Sequence, residues 1–235
     1  MTVQLAGVAP FARGGNRLCF VHPAHPDRCI KVRRPEFTLE DLRRSKGFPK
    51  NLRPLSWFDD NLEEFGVMQD IDRQTGEAAY ELVSRCHGFE DTDMGRGLTS
   101  ELIRDGRGTI SNTLKQYLWD HGYTPALQAV LLRFAERWIA LALPSRDLLL
   151  HNILVQCDKD DSDIRRLVVI DGLGSAGIIP YAWLPMFLRR YMAQRKIAKL
   201  GEKIRELLAA RETGTFPGRM GKLFHHGQPE REKSE

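Results

Sequence analysis

Asp147, Asn152 and Asp171 are the residues whose types and spacing point most directly to chemistry. Ile153–Cys157 is a short apolar run and Leu167–Ile170 a second, β-branched one, with the acidic turn 158–163 between them. Two such runs around one turn predict an antiparallel hairpin. Its pairing sets Asn152, entering the first strand, beside Asp171, leaving the second. An amide oxygen next to a carboxylate suits a hard divalent cation such as magnesium. Asp147 lies five residues before Asn152, where it can accept a proton from a hydroxyl held near that metal. Asp171-Gly172 alone would be an ordinary turn dipeptide; the other two residues and the hairpin give it a second meaning. The 158–163 cluster fails as a calcium loop, since Asp163 stands at its sixth position and Val169 at its twelfth.

A second pair of features lies near the start of the chain. Arg17–Val21 and Arg28–Val32 read as strands joined by the proline-bearing turn 22–27, preceded by the glycine turn Gly14-Gly15. The hairpin brings the glycine turn near Lys31. Backbone N–H groups in such a turn approach phosphate oxygens, and a lysine adds a point charge.

These segments resemble the protein-kinase-like fold. Ser145-Arg146-Asp147-Leu148 with Asn152 follows the kinase catalytic-loop pattern, with Ser in place of His. Asp171-Gly172-Leu173-Gly174 approximates the metal loop without its Phe, and Cys29-Ile30-Lys31 matches the lysine strand. Of the glycine-rich loop only Gly14 fits cleanly, with Ala12 and Arg17 where the other glycines stand. The resemblance implies Asp147 as catalytic base, Asn152 and Asp171 as magnesium ligands, and Gly14, Gly15 and Lys31 as ATP contacts. It further implies a glutamate paired with Lys31, for which Glu64 on a helix over 58–71 is the choice, and an adenine-reading hinge at 101–106 through Glu101 and Ile103.

Three stretches are more particular: Gly14-Gly15-Asn16-Arg17 with His22-Pro23 and Cys29–Val32; Leu98–Asp105 with Thr113–Leu118; and Val168–Ser175 with Ile179-Pro180. Over roughly residues 5–200 they resemble the bacterial YrbL-like family, named for the PhoP regulatory network. The fold expected is α+β, a reduced protein-kinase-like two-lobe fold with a small β-rich N-lobe and a short, mostly helical C-lobe. A kinase-like domain over 1–210, divided into an N-lobe of about 1–103 and a C-lobe of about 104–210, would be followed by a charged tail at 211–235. The implied activity is ATP- and magnesium-dependent phosphotransfer. With no Ala-Pro-Glu segment, a small-molecule or envelope-saccharide hydroxyl is favoured over a protein as acceptor. The alternative is a non-catalytic nucleotide-binding pseudokinase or regulatory scaffold with a protein partner.

Further elements are expected at Val3–Ala9, Tyr80–Cys86 and 98–103 (strands, with 91–97 as the turn between the last two), and at 39–45 and 112–120 (helices). A long helix is capped by Thr124-Pro125, and another runs at least from Met186 to Ala210. The 235 residues, 42% hydrophobic and 28% charged, suffice for one good core or two small ones. The cysteines at 19, 29, 86 and 157 lie in no close pair, as in a reduced cytoplasmic protein. No apolar run is long enough for a membrane span, and the first residues do not read as a signal peptide. The net charge of +4 resides at the end, with 12 Lys and Arg against 6 Asp and Glu from Arg189 onward. Nucleic acid is not expected as a partner, because a basic helix is more often a solvated face.

Overall fold

A computed structural model describes residues 2–175 and 181–217. The chain divides into two units, one comprising residues 2–67 and 85–102, the other 68–84 and the described residues from Ile103 onward. The family stretch at Ile179-Pro180 and the charged tail beyond 217 lie outside the described residues.

The first unit is built on a five-stranded antiparallel sheet. Its strands are β1 (Ala12–Arg13), β2 (Arg17–Val21), β3 (Arg28–Arg33), β4 (Cys86–Thr92) and β5 (Gly95–Glu101), in the order β1-β2-β3-β5-β4. Alternation on β2 and β3 sends Phe20, Ile30 and Val32 into a core closed by Leu5, with Val3, Leu18 and Met94 packed against it. Gly97 on β5 lies so close to β3 that a Cβ there would fall on the Ile30 methyl. Helix α1 (Leu39–Arg44) is closed by a capping box between Thr38 and Asp41.

Helix α2 (Asp60–Thr75) begins two residues later than expected. Phe58 ends a one-turn 3-10 helix instead, and the Asp59 carboxylate accepts from the N–H groups of Asn61 (3.0 Å) and Leu62 (3.3 Å). Its inward face is also offset from the apolar spacing of Leu62, Phe65 and Met68 in the sequence. Asn61, Met68 and Ile71 are buried, whereas Leu62 is 40% exposed.

The second unit holds a three-stranded antiparallel sheet of β6 (Asn112–Thr113), β7 (Ile153–Cys157) and β8 (Ile164–Val169), in that order. Helices α3 (Leu114–His121), α4 (Pro125–Ala140) and α5 (Met186–Glu212) complete it. Thr113 and Thr124 cap α3 and α4, accepting from the N–H groups of Gln116 and Leu127. Leu127, Val130, Leu131, Phe134 and Trp138 form the buried stripe of α4, which packs on β8; α5 buries Ala193, Leu200, Ile204 and Leu207 and packs on α3 and α4.

Three expected elements differ. Val3–Ala9 is no strand: Val3 makes one bridge to Thr92, after which the Asp93 carboxylate takes the N–H groups of Leu5 (2.7 Å) and Ala6 (3.0 Å). Side-chain acceptors replace a strand partner there. Tyr80–Cys86 is no strand either. A 3-10 helix at Gly76–Glu81 follows α2 with Ala79 buried, and only Val83 then bridges Val169. The turn expected over 91–97 is confined to Asp93-Met94, because Thr92 Oγ1 accepts from the Met94 N–H and donates to the Gly95 carbonyl, letting the strands run on either side.

Candidate active site

In the first unit, Lys31 stands on β3 opposite Cys19 and Leu98, only 5% exposed. Its Nζ donates to Glu64 Oε1 at 2.6 Å. The other Glu64 oxygen accepts from Arg17 Nη1 at 2.5 Å, and the same guanidinium nitrogen reaches Asn61 Oδ1 at 3.1 Å. Asn61 closes the network by donating to the Lys31 carbonyl at 2.9 Å. One carboxylate thus holds two cations in a site largely closed to water, where charge-assisted bonds are strong and an unpaired charge would be costly. This explains the offset inner face of α2: Asn61 and Glu64 face inward because β2 and β3 present Arg17 and Lys31. Beside the network the Cys29 thiol is pushed up by burial, against the opposing pull of Lys31.

The Gly14-Gly15 turn joins β1 to β2. The Gly14 N–H is used on the Arg17 carbonyl at 2.9 Å, and the Gly15 carbonyl accepts from Arg34 at 3.0 Å. A Cβ at Gly15 would meet open space, so the turn leaves room above it. At 101–103 the Glu101 N–H bonds the Arg85 carbonyl (2.8 Å) and the Leu102 N–H the Asp27 carbonyl (2.8 Å). The Ile103 carbonyl accepts from Ser111 (3.0 Å).

In the second unit β7 and β8 form the expected hairpin, with Asn152 opposite Ile170 and Asp171 one residue beyond the expected pair. Ile153 faces Val169, and the Ile170 N–H donates to the Asn152 carbonyl at 2.9 Å. Asp171 follows at once. The two loops are then joined by backbone: the Arg146 N–H donates to the Gly172 carbonyl at 2.9 Å, and Ser145 bridges Leu173. Gly172 has a φ of 79°, and a Cβ on it would lie 2.8 Å from the Asp147 carbonyl oxygen and 3.2 Å from Asn152 Nδ2. A glycine is required there twice, by conformation and by space. Asp147, Asn152 and Asp171 therefore lie on loops joined at Gly172, with an Asp171 oxygen accepting from the Gly172 N–H at 2.6 Å. No group of three or more His, Cys, Asp or Glu suited to a metal exists among the described residues. One carboxylate with one amide instead fits a cation that keeps several waters and shares phosphate oxygens, the habit of magnesium.

Helix α5 adds residues that local sequence did not reveal. Lys203 Nζ donates to Asp147 Oδ1 at 2.6 Å and to the Leu148 carbonyl at 3.3 Å. Lys196 donates to the Arg146 carbonyl, Arg189 to Gln74, and Arg211 to the Trp119 carbonyl. Four basic residues of the helix are thus engaged in hydrogen bonds to the rest of this unit. His151, half-buried beside this loop, is pushed down by burial and by Lys115, while Asp171 opposes the shift. Arg17 stood in the sequence as a missing glycine, which was its only signal. Lys203 lies 56 residues from Asp147 and carried none.

A β-sheet unit whose central lysine is tied to a helical glutamate, and a helical unit whose hairpin brings Asn152 and Asp171 to the loop of Asp147, make this an α+β protein with the contacts that the kinase-like resemblance implies. The chain belongs to the family of the PhoP regulatory network protein YrbL, whose model matches residues 3–205. It is similar to the YrbL proteins of Escherichia coli and Shigella flexneri, each 24% identical over 228 residues, covering 91% of this chain and 96% of theirs. Among solved structures, Rad53 1–466 in complex with AMP-PNP matches with a TM-score of 0.44 and 14% identity. That match covers 91% of this chain and 49% of the other, so the chain spans about half its length.

Proposed function

We propose that this family member is an ATP- and magnesium-dependent phosphotransferase acting on a hydroxyl. The observation that carries the proposal is the junction at Gly172, which sets a proton acceptor, an amide and a second carboxylate on adjoining loops. Asn152 and Asp171 would hold the magnesium ion, which supplies charge neutralisation for the phosphates. Lys31, oriented by Glu64, would contact phosphate oxygens together with the Gly14-Gly15 turn, and the backbone of Glu101 and Ile103 would read the adenine edge. Asp147 orients the acceptor hydroxyl and takes its proton. The acceptor oxygen bonds the γ-phosphorus as the bond to the β–γ bridging oxygen breaks, and ADP leaves with that electron pair. Positioning and fixed charge provide the acceleration.

The test is calorimetric titration with ATP, with and without magnesium, on the wild type and Asp171→Ala. Magnesium-dependent binding that disappears in the variant supports the proposal; no binding at millimolar ATP refutes it. A second reading, a non-catalytic nucleotide-binding regulator, is favoured by the Lys203 contact that occupies one oxygen of Asp147. Nucleotide binding without magnesium dependence or turnover would select it.

A further inference from the structure

Lys196, Lys199 and Lys203 are spaced i, i+3 and i+7 on α5 and so lie along one stripe of the helix. The stripe starts at Asp147, where Lys203 is bonded, and runs back about 10 Å at the rise of an α-helix to Lys196, bonded to the carbonyl of Arg146. Lys199, between them, is exposed. Burial pushes Lys196 down, the nearby charges of Lys199, Lys203 and Arg195 add to this, and Asp147 opposes it, so these groups share one field. No Asp or Glu occurs from Tyr181 through Gly201, and the loop Asp147–Asn152 carries no Lys or Arg. Beside the loop a small cleft is lined by Leu143, Met192 and Ala193 together with Ser145, Tyr181 and Lys196. Its walls are mainly apolar; the Ser145 and Tyr181 hydroxyls there donate to the carbonyls of Gly172 and of Ala142 and Arg189, and the Lys196 ammonium is the one charge on it.

We infer that the acceptor is a small hydroxy compound bearing an anionic group, of the sugar-phosphate kind, with the anion received by the α5 lysine stripe and the carbon body by the adjoining cleft of Leu143, Met192 and Ala193. The inference rests on the phosphotransfer proposal for the identity of Asp147, but the anion site can be tested without turnover. Lysine ammonium groups keep unused protons after one or two bonds, so Lys196 and Lys203 can hold the loop and still face an anion.

The experiment is a titration of the full chain carrying ¹³C-methylated lysines, which retain their charge, with signals assigned by Lys→Arg variants. The probes are glycerol 3-phosphate, glycerol and inorganic phosphate. The signals of Lys196, Lys199 and Lys203 should move together and saturate with glycerol 3-phosphate, should ignore glycerol, and should respond more weakly to inorganic phosphate. Lys199→Glu, an exposed change that spares folding, should weaken that binding at least about tenfold. No saturating movement, or equal movement of every exposed lysine, overturns the inference. Inorganic phosphate binding as tightly as the ester also overturns it, because the cleft would then contribute nothing. Magnesium–ATP, read at Lys31, separates the two claims. If ATP moves Lys31 and the ester moves no stripe lysine, the acceptor inference fails alone. If the ester binds the stripe and ATP leaves Lys31 unmoved, phosphotransfer fails and the anion site stands.

Discussion

Glu64 accepts from two cations, and its removal would leave both in a largely dry site. Glu64→Gln should therefore destabilise the protein by about 3–5 kcal/mol, the cost of breaking a buried pair, measured by urea unfolding. Arg17→Gly would supply the glycine of the kinase pattern and free one Glu64 oxygen, without removing the Lys31 contact. At the other unit, Asp147→Asn keeps the shape of the side chain but loses its basicity. Turnover should fall by roughly 10²–10⁴-fold, the usual worth of a positioned general base, while magnesium–ATP binding persists. Unaltered turnover would remove Asp147 from the mechanism. Gly172→Ala tests the junction itself. A Cβ at 2.8 Å from the Asp147 carbonyl, on a residue at φ 79°, should cost about 1–3 kcal/mol and separate the loops that hold Asn152 and Asp171.

At the scale of elements, the caps and the hairpin are local devices and behave as local sequence dictates. Thr124 accepts from the Leu127 N–H, so Thr124→Ala should cost about 1 kcal/mol, read as a lowered unfolding midpoint with unchanged slope. Helix α5 is different. It buries Ala193, Leu200, Ile204 and Leu207 and sends Lys196 and Lys203 into the loop around Asp147. Truncation after residue 188 should abolish cooperative folding of the second unit, seen by circular dichroism, rather than trim a loose basic extension. A truncated chain that unfolds cooperatively at the same midpoint would contradict this.

For the molecule as a whole, the pH dependence of stability has a definite sign at His151. Burial holds its folded pKa below the ordinary histidine value of about 6.5, so the unfolded chain binds more protons in the interval between the two. The stabilisation is then complete above about 6.5 and is lost as pH falls through that value toward the folded pKa. His151→Gln should flatten this part of the curve, measured as the urea midpoint from pH 7.5 to pH 5. The two units each carry a core of their own, Leu5, Phe20, Ile30 and Val32 in one and Ile103, Leu154 and Val168 in the other. No described helix is long and apolar enough to cross a membrane.

The sequence by itself determined what depends on neighbours along the chain. The β7–β8 hairpin, the Thr124-Pro125 start of α4 and the extent of α5 follow from side-chain periodicity, turn composition and cap chemistry, all of which act over a few residues. The pairing of Lys31 with Glu64 was legible as well, but only through the kinase pattern. The apolar spacing of α2 would have turned Leu62 inward, where the helix buries Asn61. Tertiary structure decided what depends on burial and on distant partners. Val3–Ala9 has strand composition yet meets the Asp93 carboxylate, and Tyr80–Cys86 loses its strand to the 3-10 closure of α2. Arg17 becomes the second cation on Glu64 because strand pairing places it two residues along the same face from the partner of Lys31. Lys203 reaches Asp147 because α5 packs its apolar face on α3 and α4, which carries a lysine 56 residues away to the carboxylate. Charge contacts of this kind are set by where hydrophobic faces come to rest, and no local pattern encodes them.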